Sequence, residues 1–235
     1  VYLYDDAHPD AEENYARLGQ RLNTWLSSQT SAGILFETDL RLRPNGDSGL
    51  LAVSVDSFRD YQLDKAWVWE HQALTRARFC AGDPAVGARF EEIRREILCR
   101  QRDLTKLKEE VVAMRRKMYD AHASKSETLF DLKHDPGGII DVEFIVQYLV
   151  LGHAHQHQRL TGNLGNIALL RIAAELRLIP ADQAEAAGDA YREYRRLQHA
   201  KRLSANPKGY SERESIEKYI AAVNMLWTTV FGEET

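Results

Sequence analysis

Phe36-Glu37-Thr38-Asp39-Leu40-Arg41-Leu42-Arg43-Pro44 is the stretch on which the fold assignment turns. Successive side chains of a strand point to opposite faces. Phe36, Thr38, Leu40 and Leu42 therefore share one face, and Glu37, Asp39, Arg41 and Arg43 share the other. Two carboxylates followed by two guanidiniums on a single face are costly to bury and must meet water, a cleft or a ligand. The order suits a metal–triphosphate ligand. A carboxylate holds Mg²⁺ through hard oxygen, and arginines further along clamp phosphate oxygens bidentately. A half-exposed strand whose charges pair across it accounts for the same spacing. The following Pro44-Asn45-Gly46-Asp47-Ser48-Gly49 cluster reads as a turn, able to offer backbone N–H groups to an anion.

Outward from this stretch the chain divides into two kinds of pattern. Val1–Asp5 is β-branched and aromatic, a strand signal, and Ile34–Leu42 is a second strand. Between them Asp10 can cap a helix running to about Leu26, with Tyr15, Leu18, Leu22 and Trp25 on one face. Leu50–Val53 returns as a short strand. From Ser54 onward every periodic segment is helical. Trp67–Phe79 and Val86–Leu98 are two helices divided by the Gly82-Asp83-Pro84 break. Leu104, Leu107, Val111, Met114 and Met118 form a seam. Gly138–Leu151 is apolar almost all round and is the central helix of a bundle. Asn163–Leu178, Ala181–Ser204 and Glu212–Phe231 complete it. The expected fold class is α+β, mostly α, divided into residues 1–98 and 99–235.

Composition excludes several classes. The 235 residues are 44% hydrophobic and 28% charged, as in soluble globular proteins. A net charge of −4 argues against a non-specific nucleic-acid or membrane binder. The basic runs Arg94-Arg95 and Arg115-Arg116-Lys117 have acids nearby and read as solvated helix faces. Cys80 and Cys99 have neither metal-ligand nor CxxC spacing, which suits a reducing, cytoplasmic compartment. No apolar run is long enough to span a bilayer. The chain opens on a strand without Met and reads as a piece of something longer.

Three separated motifs resemble one family. Asp39-Leu40-Arg41-Leu42-Arg43-Pro44 with Gly46 and Gly49 is similar to a segment of the glutamine synthetase adenylyltransferase/adenylyl-removing enzymes. Trp67-Val68-Trp69-Glu70-His71-Gln72-Ala73-Leu74-Thr75-Arg76-Ala77-Arg78 looks like the helix that follows it. Asp131-Leu132-Lys133 with Gly137-Gly138-Ile139-Ile140-Asp141-Val142-Glu143-Phe144 resembles a third hallmark. The paired tryptophans and Phe130-Asp131-Leu132-Lys133 look more like the C-terminal, AMP-adding half than the half that removes AMP by phosphorolysis.

The resemblance implies a partial polymerase-β-like nucleotidyltransferase palm followed by a helical bundle. It implies transfer of AMP from ATP to a tyrosine of glutamine synthetase, with Mg²⁺ as cofactor. Asp39 matches the palm's third carboxylate and metal ligand, and Arg41 and Arg43 would neutralise phosphate charge. The Asp-x-Asp of such palms is expected just before Val1, so the isolated piece is expected to be inactive. Glutamine synthetase and the PII signalling protein are the implied partners, with no nucleic acid or membrane among them. The alternatives are a non-catalytic docking module for glutamine synthetase or PII, and the AMP-removing half.

Further candidates have structural readings beside the functional ones. Arg76 or Arg78 could reach nucleotide phosphate, or Glu70, Leu74 and Arg78 could form a structural row over core Trp67 and Trp69. His71 reads as a hydrogen-bonded structural residue. Asp141 shares a helix side with Ile145 and Tyr148, and Glu143 shares one with Ile139, Val146 and Val150. An unpaired charge there is expensive. A buried pairing with Lys133 or an arginine stands against a nucleotide contact by Lys133, Asp141 and Glu143. His153, His155 and His157 lack a third ligand at suitable spacing, and a polar helix end explains them.

Overall fold

The computed structural model of the chain describes residues 1–40, 43–46, 49–122, 124, 126–203 and 209–232. It is mostly helical with three two-stranded sheets among the described residues. Two compact units divide it, Val1–Ile97 and Leu98–Thr235.

The first unit begins with β1 (Tyr2–Tyr4), which pairs in parallel with β4 (Ala52–Ser54), Tyr2 opposite Ala52. Parallel neighbours need a crossover, and α1 (Ala11–Ser27) lies within it. Gly19 lets α1 approach β1, since a Cβ there would sit 2.9 Å from the Tyr2 ring. Asp10 precedes the helix, yet its side chain makes no capping hydrogen bond. Ser54 does cap: its hydroxyl accepts the Ser57 N–H at 3.1 Å to open α2 (Val55–Asp64). Next come α3 (Val68–Leu74) and α4 (Pro84–Leu98).

Four expectations fail in this unit. The strand expected over Ile34–Leu42 is reduced to β3 (Gly33–Ile34), which pairs with β2 (Gln29–Thr30) in a minimal hairpin. Leu35–Leu40 carry no strand pairing, and Arg41 and Leu42 lie outside the described residues. Trp67, expected in the core, is 68% exposed. The helix expected to reach Phe79 stops at Leu74. Arg94 explains the stop. It is buried, not solvated, and its guanidinium donates to the Leu74 and Thr75 carbonyls at 2.8 and 3.0 Å. Those carbonyls are thereby satisfied at a helix end.

The second unit is built on α6 (Ile139–His153), in which every residue from Ile139 to Gly152 except Glu143 is buried. Each buried Leu, Ile or Val side chain contributes at most about 1.5–3 kcal/mol, which makes this helix the centre of the unit. It packs against α5 (Leu104–His122), α7 (Asn166–Glu175), α8 (Ala181–Leu203) and α9 (Arg213–Phe231). An antiparallel pair, β5 (Leu129–Asp131) with β6 (Tyr210–Glu212), was not signalled by periodicity. Leu107, Val111 and Arg115 form the buried row of α5 at four-residue spacing. Arg115 therefore belongs to the core face, contrary to its reading as part of a solvated basic run.

Gly137 is required at the entrance to α6. Its φ is +89°, and a Cβ there would lie 2.9 Å from the Ile220 side chain and 3.0 Å from the Ile220 carbonyl oxygen on α9. Gly137→Ala is expected to cost about 2 kcal/mol or more, combining left-handed strain with the clash. The urea midpoint of unfolding reads this loss directly.

Candidate functional site

In the first unit a cleft of about 1330 Å³ is walled by Tyr2, Leu22 and Trp25 and edged by Arg43, Arg76 and Arg78. Mostly apolar walls with a few converging charged groups are what a small-ligand site requires. The local fold explains the arginines. Because α3 ends at Leu74, Arg76 and Arg78 stand on the segment beyond it. Arg94 anchors the start of that segment, and Glu91 accepts the Phe79 N–H at 3.0 Å to hold its end. Arg43 is half-buried; its Nε donates to the Gly49 carbonyl at 3.2 Å and its Nη1 to the Leu40 carbonyl. Glu70 is occupied structurally, accepting from the Tyr61 hydroxyl at 3.0 Å and the Trp67 N–H at 3.1 Å. His71 is buried with its Nε2 2.9 Å from the Gln62 carbonyl, the structural role expected of it.

Asp39 is not among the residues that line the cleft. Arg41 lies outside the described residues. Magnesium takes oxygen ligands at near-octahedral geometry, and a carboxylate is the right donor. Yet no group of three His, Cys, Asp or Glu residues able to hold a metal occurs among the described residues.

In the second unit Asp131–Asp141 is a loop held by side chains. Asp131 accepts the Lys133 and His134 N–H groups at 2.8 and 3.2 Å, and its other oxygen meets His134 Nδ1 at 2.9 Å. Asp135, 3% exposed, accepts the Asp131 and Ser124 N–H groups at 2.9 and 3.0 Å. Asp141, 4% exposed, accepts the Gly137 N–H at 2.6 Å and pairs with the Arg115 Nε. Arg115 also donates to the His134 carbonyl at 2.8 Å. The Tyr194 hydroxyl donates to the Gly137 carbonyl at 3.0 Å, and burial first, then Asp141, pushes this phenol far above its ordinary range. Tyr194 is thus kept as a neutral donor.

This arrangement is the buried pairing with an arginine that stood beside the nucleotide contact for Asp141. Glu143 is half-buried and accepts the Tyr191 hydroxyl at 3.3 Å, and Lys133 is exposed. Sequence reasoning missed Arg115. The signal was its place four residues after Val111, itself four after Leu107, on the face of the α5 seam. Burial, with the other two imidazoles, lowers the His153 pKa, so this histidine favours its neutral form.

Comparison with known proteins decides the kinship. Residues 4–93 match the family model described as glutamate-ammonia ligase adenylyltransferase, and residues 105–209 match that described as GlnD PII-uridylyltransferase. A bifunctional glutamine synthetase adenylyltransferase/adenylyl-removing enzyme of Aromatoleum aromaticum is 64% identical over 99% of this chain and 24% of its own length. Over nearly its whole length the chain is similar to the adenylyltransferase/adenylyl-removing enzymes. Proteins of the same description from Nitrosomonas eutropha and Bordetella bronchiseptica are 56% and 55% identical, over 99% and 100% of this chain. The chain spans 26% and 25% of their lengths, so it corresponds to about a quarter of each of these relatives. Among its described residues no helix is long and apolar enough to cross a membrane.

Proposed function

We propose that the chain is part of the AMP-adding half of a bifunctional adenylyltransferase, which transfers AMP from ATP to a tyrosine of glutamine synthetase. One structural observation carries this: three arginines, Arg43, Arg76 and Arg78, line a single cleft in the unit that matches the adenylyltransferase model. Arginine donors hold phosphate oxygens in fixed geometry and stabilise charge that develops during transfer. In this proposal Arg43, Arg76 and Arg78 take the triphosphate, and Arg41 assists. The first unit is then a partial polymerase-β-like palm. Asp39 contributes one carboxylate of the transfer site. Lys133, Asp141 and Glu143 belong to the second unit, where Asp141 pairs with Arg115.

Arg76 and Arg78 lie beyond the end of α3 at the edge of the cleft, so their replacement separates function from folding. In the full-length enzyme, Arg76→Ala with Arg78→Ala is expected to lower kcat/KM for ATP by about 10- to 100-fold for each charge-assisted hydrogen bond removed. The thermal midpoint should stay within about 1 °C, as expected of surface changes. Unchanged ATP kinetics would remove both arginines from the site.

One observation favours a second reading for the helical unit. Residues 105–209 match a model described as a PII-uridylyltransferase, which supports a docking role toward the PII protein, with glutamine synthetase as the other docking partner proposed. In both readings the isolated chain is expected to be inactive. Incubating this chain with ATP and glutamine synthetase tests that point. Labelled AMP appearing on glutamine synthetase contradicts it, and capture of glutamine synthetase or PII without labelling supports the docking role.

A further inference from the structure

The cleft edged by the three arginines also contains a buried acceptor oxygen that meets no donor of the protein. We propose that this oxygen, Gln62 Oε1, reads the base of the nucleotide by accepting a hydrogen bond from the exocyclic amine of adenine. The proposal rests on the nucleotidyl-transfer reading above and names the residue that selects the base.

Three observations support it. First, Gln62 is 4% exposed, and its Oε1 has no hydrogen-bond partner. Of the four such buried side-chain atoms among the described residues, this is the one whose residue lines the cleft. Folded proteins keep few unmet buried acceptors, because each loses its water without gaining a donor. A ligand amine in the cleft supplies that donor, and a ligand without one leaves the cost in place.

Second, the surroundings suit a base. Phe58, Leu74 and Phe90, all buried, line the same cleft as Gln62, and the Phe58 and Phe90 rings lie 5.9 Å apart. Apolar and aromatic faces stack any base, and hydrogen bonds to its edge supply the choice. The other buried polar side chain of the cleft, Glu70, already accepts from the Tyr61 hydroxyl and the Trp67 N–H through its Oε1. Arg76 and Arg78 are exposed. Exposed cations therefore serve the phosphates, and a buried neutral amide serves the base.

Third, the amide is held in place. Val55, Phe58 and Gln62 are the buried residues of α2, at three- and four-residue spacing. Gln62 thus stands on the core-facing row, where an apolar side chain is the ordinary occupant. Its backbone carbonyl lies 2.9 Å from His71 Nε2, which ties the end of α2 to α3. A polar side chain on so fixed a backbone is preorganised for a partner.

The test compares ATP with purine riboside triphosphate, which lacks only the 6-amino group, in the full-length enzyme. Affinity, by calorimetry, and kcat/KM for AMP transfer are both measured. Wild type is expected to bind and use the analogue about 10- to 100-fold less well. Gln62→Met, close in volume, should weaken ATP by that factor and leave the analogue unchanged, so that the two bind alike. Because methionine removes an unmet buried acceptor, α2 amides of the nucleotide-free variant should exchange no faster than those of wild type. Faster exchange would assign the oxygen to the fold and overturn the proposal. Equal weakening of both nucleotides, or no discrimination by wild type, also overturns it, even if AMP transfer is normal. Discrimination that Gln62→Met erases, in an enzyme that transfers no AMP, keeps the base contact and overturns the proposed function.

Discussion

Asp141→Ala should destabilise the second unit by about 3–5 kcal/mol, the cost of leaving one member of a buried ion pair without its partner. Arg115 is 5% exposed and cannot turn its charge to water. The same substitution also removes the acceptor of the Gly137 N–H. Since a domain has only about 5–15 kcal/mol in total, a large part of its stability goes with this one side chain. Exchange of the amides of the buried helix α6 measures the loss. Asp141→Asn should cost less, because its amide oxygen still accepts and its volume is nearly unchanged. A double replacement, Arg115→Met with Asp141→Leu, should recover only part of the stability. The His134 carbonyl and the Gly137 N–H would then both lack their side-chain partners, at about 1–3 kcal/mol for each group left unsatisfied. Full recovery would mean the pair does not hold the loop.

In the full-length enzyme Asp39→Asn should reduce AMP transfer by about 10²- to 10³-fold, the usual cost of losing one charge-stabilising group. The substitution preserves shape and removes only the charge. Asp39 lies outside the core of the first unit, so the thermal midpoint should be unaffected. Labelled AMP on glutamine synthetase, measured beside a melting curve, separates the two effects. Transfer within a few-fold of wild type would exclude Asp39 from the site and leave the arginine cleft as the element to explain.

Asp39 and Asp141 were legible to different degrees. Asp39 stood out by local alternation and motif, while its place outside the arginine cleft came only from the coordinates. Asp141 was visible as a carboxylate on an apolar helix, where burial demanded a partner, but nothing local named the partner. Arg115 lies 26 residues earlier, across β5 and a loop. The end of α3 was illegible for a similar reason: Arg94, 20 residues later, takes the Leu74 carbonyl. Leu35–Leu40 did not form their expected strand, because a strand needs an edge and alternation supplies none.

The sequence by itself determined the family resemblance, the mostly helical α+β class, the central helix α6 and the polar character of the Asp39 segment. Each follows from local spacing or from quoted motifs, which need no knowledge of neighbours in space. Tertiary structure alone decided which charges are buried, where α3 ends and which arginines share a cleft. The physical reason is that a buried charge or a strand edge is satisfied by whatever packs against it. For Arg94 and Arg115 that neighbour is 20 and 26 residues away along the chain, beyond the reach of any local pattern.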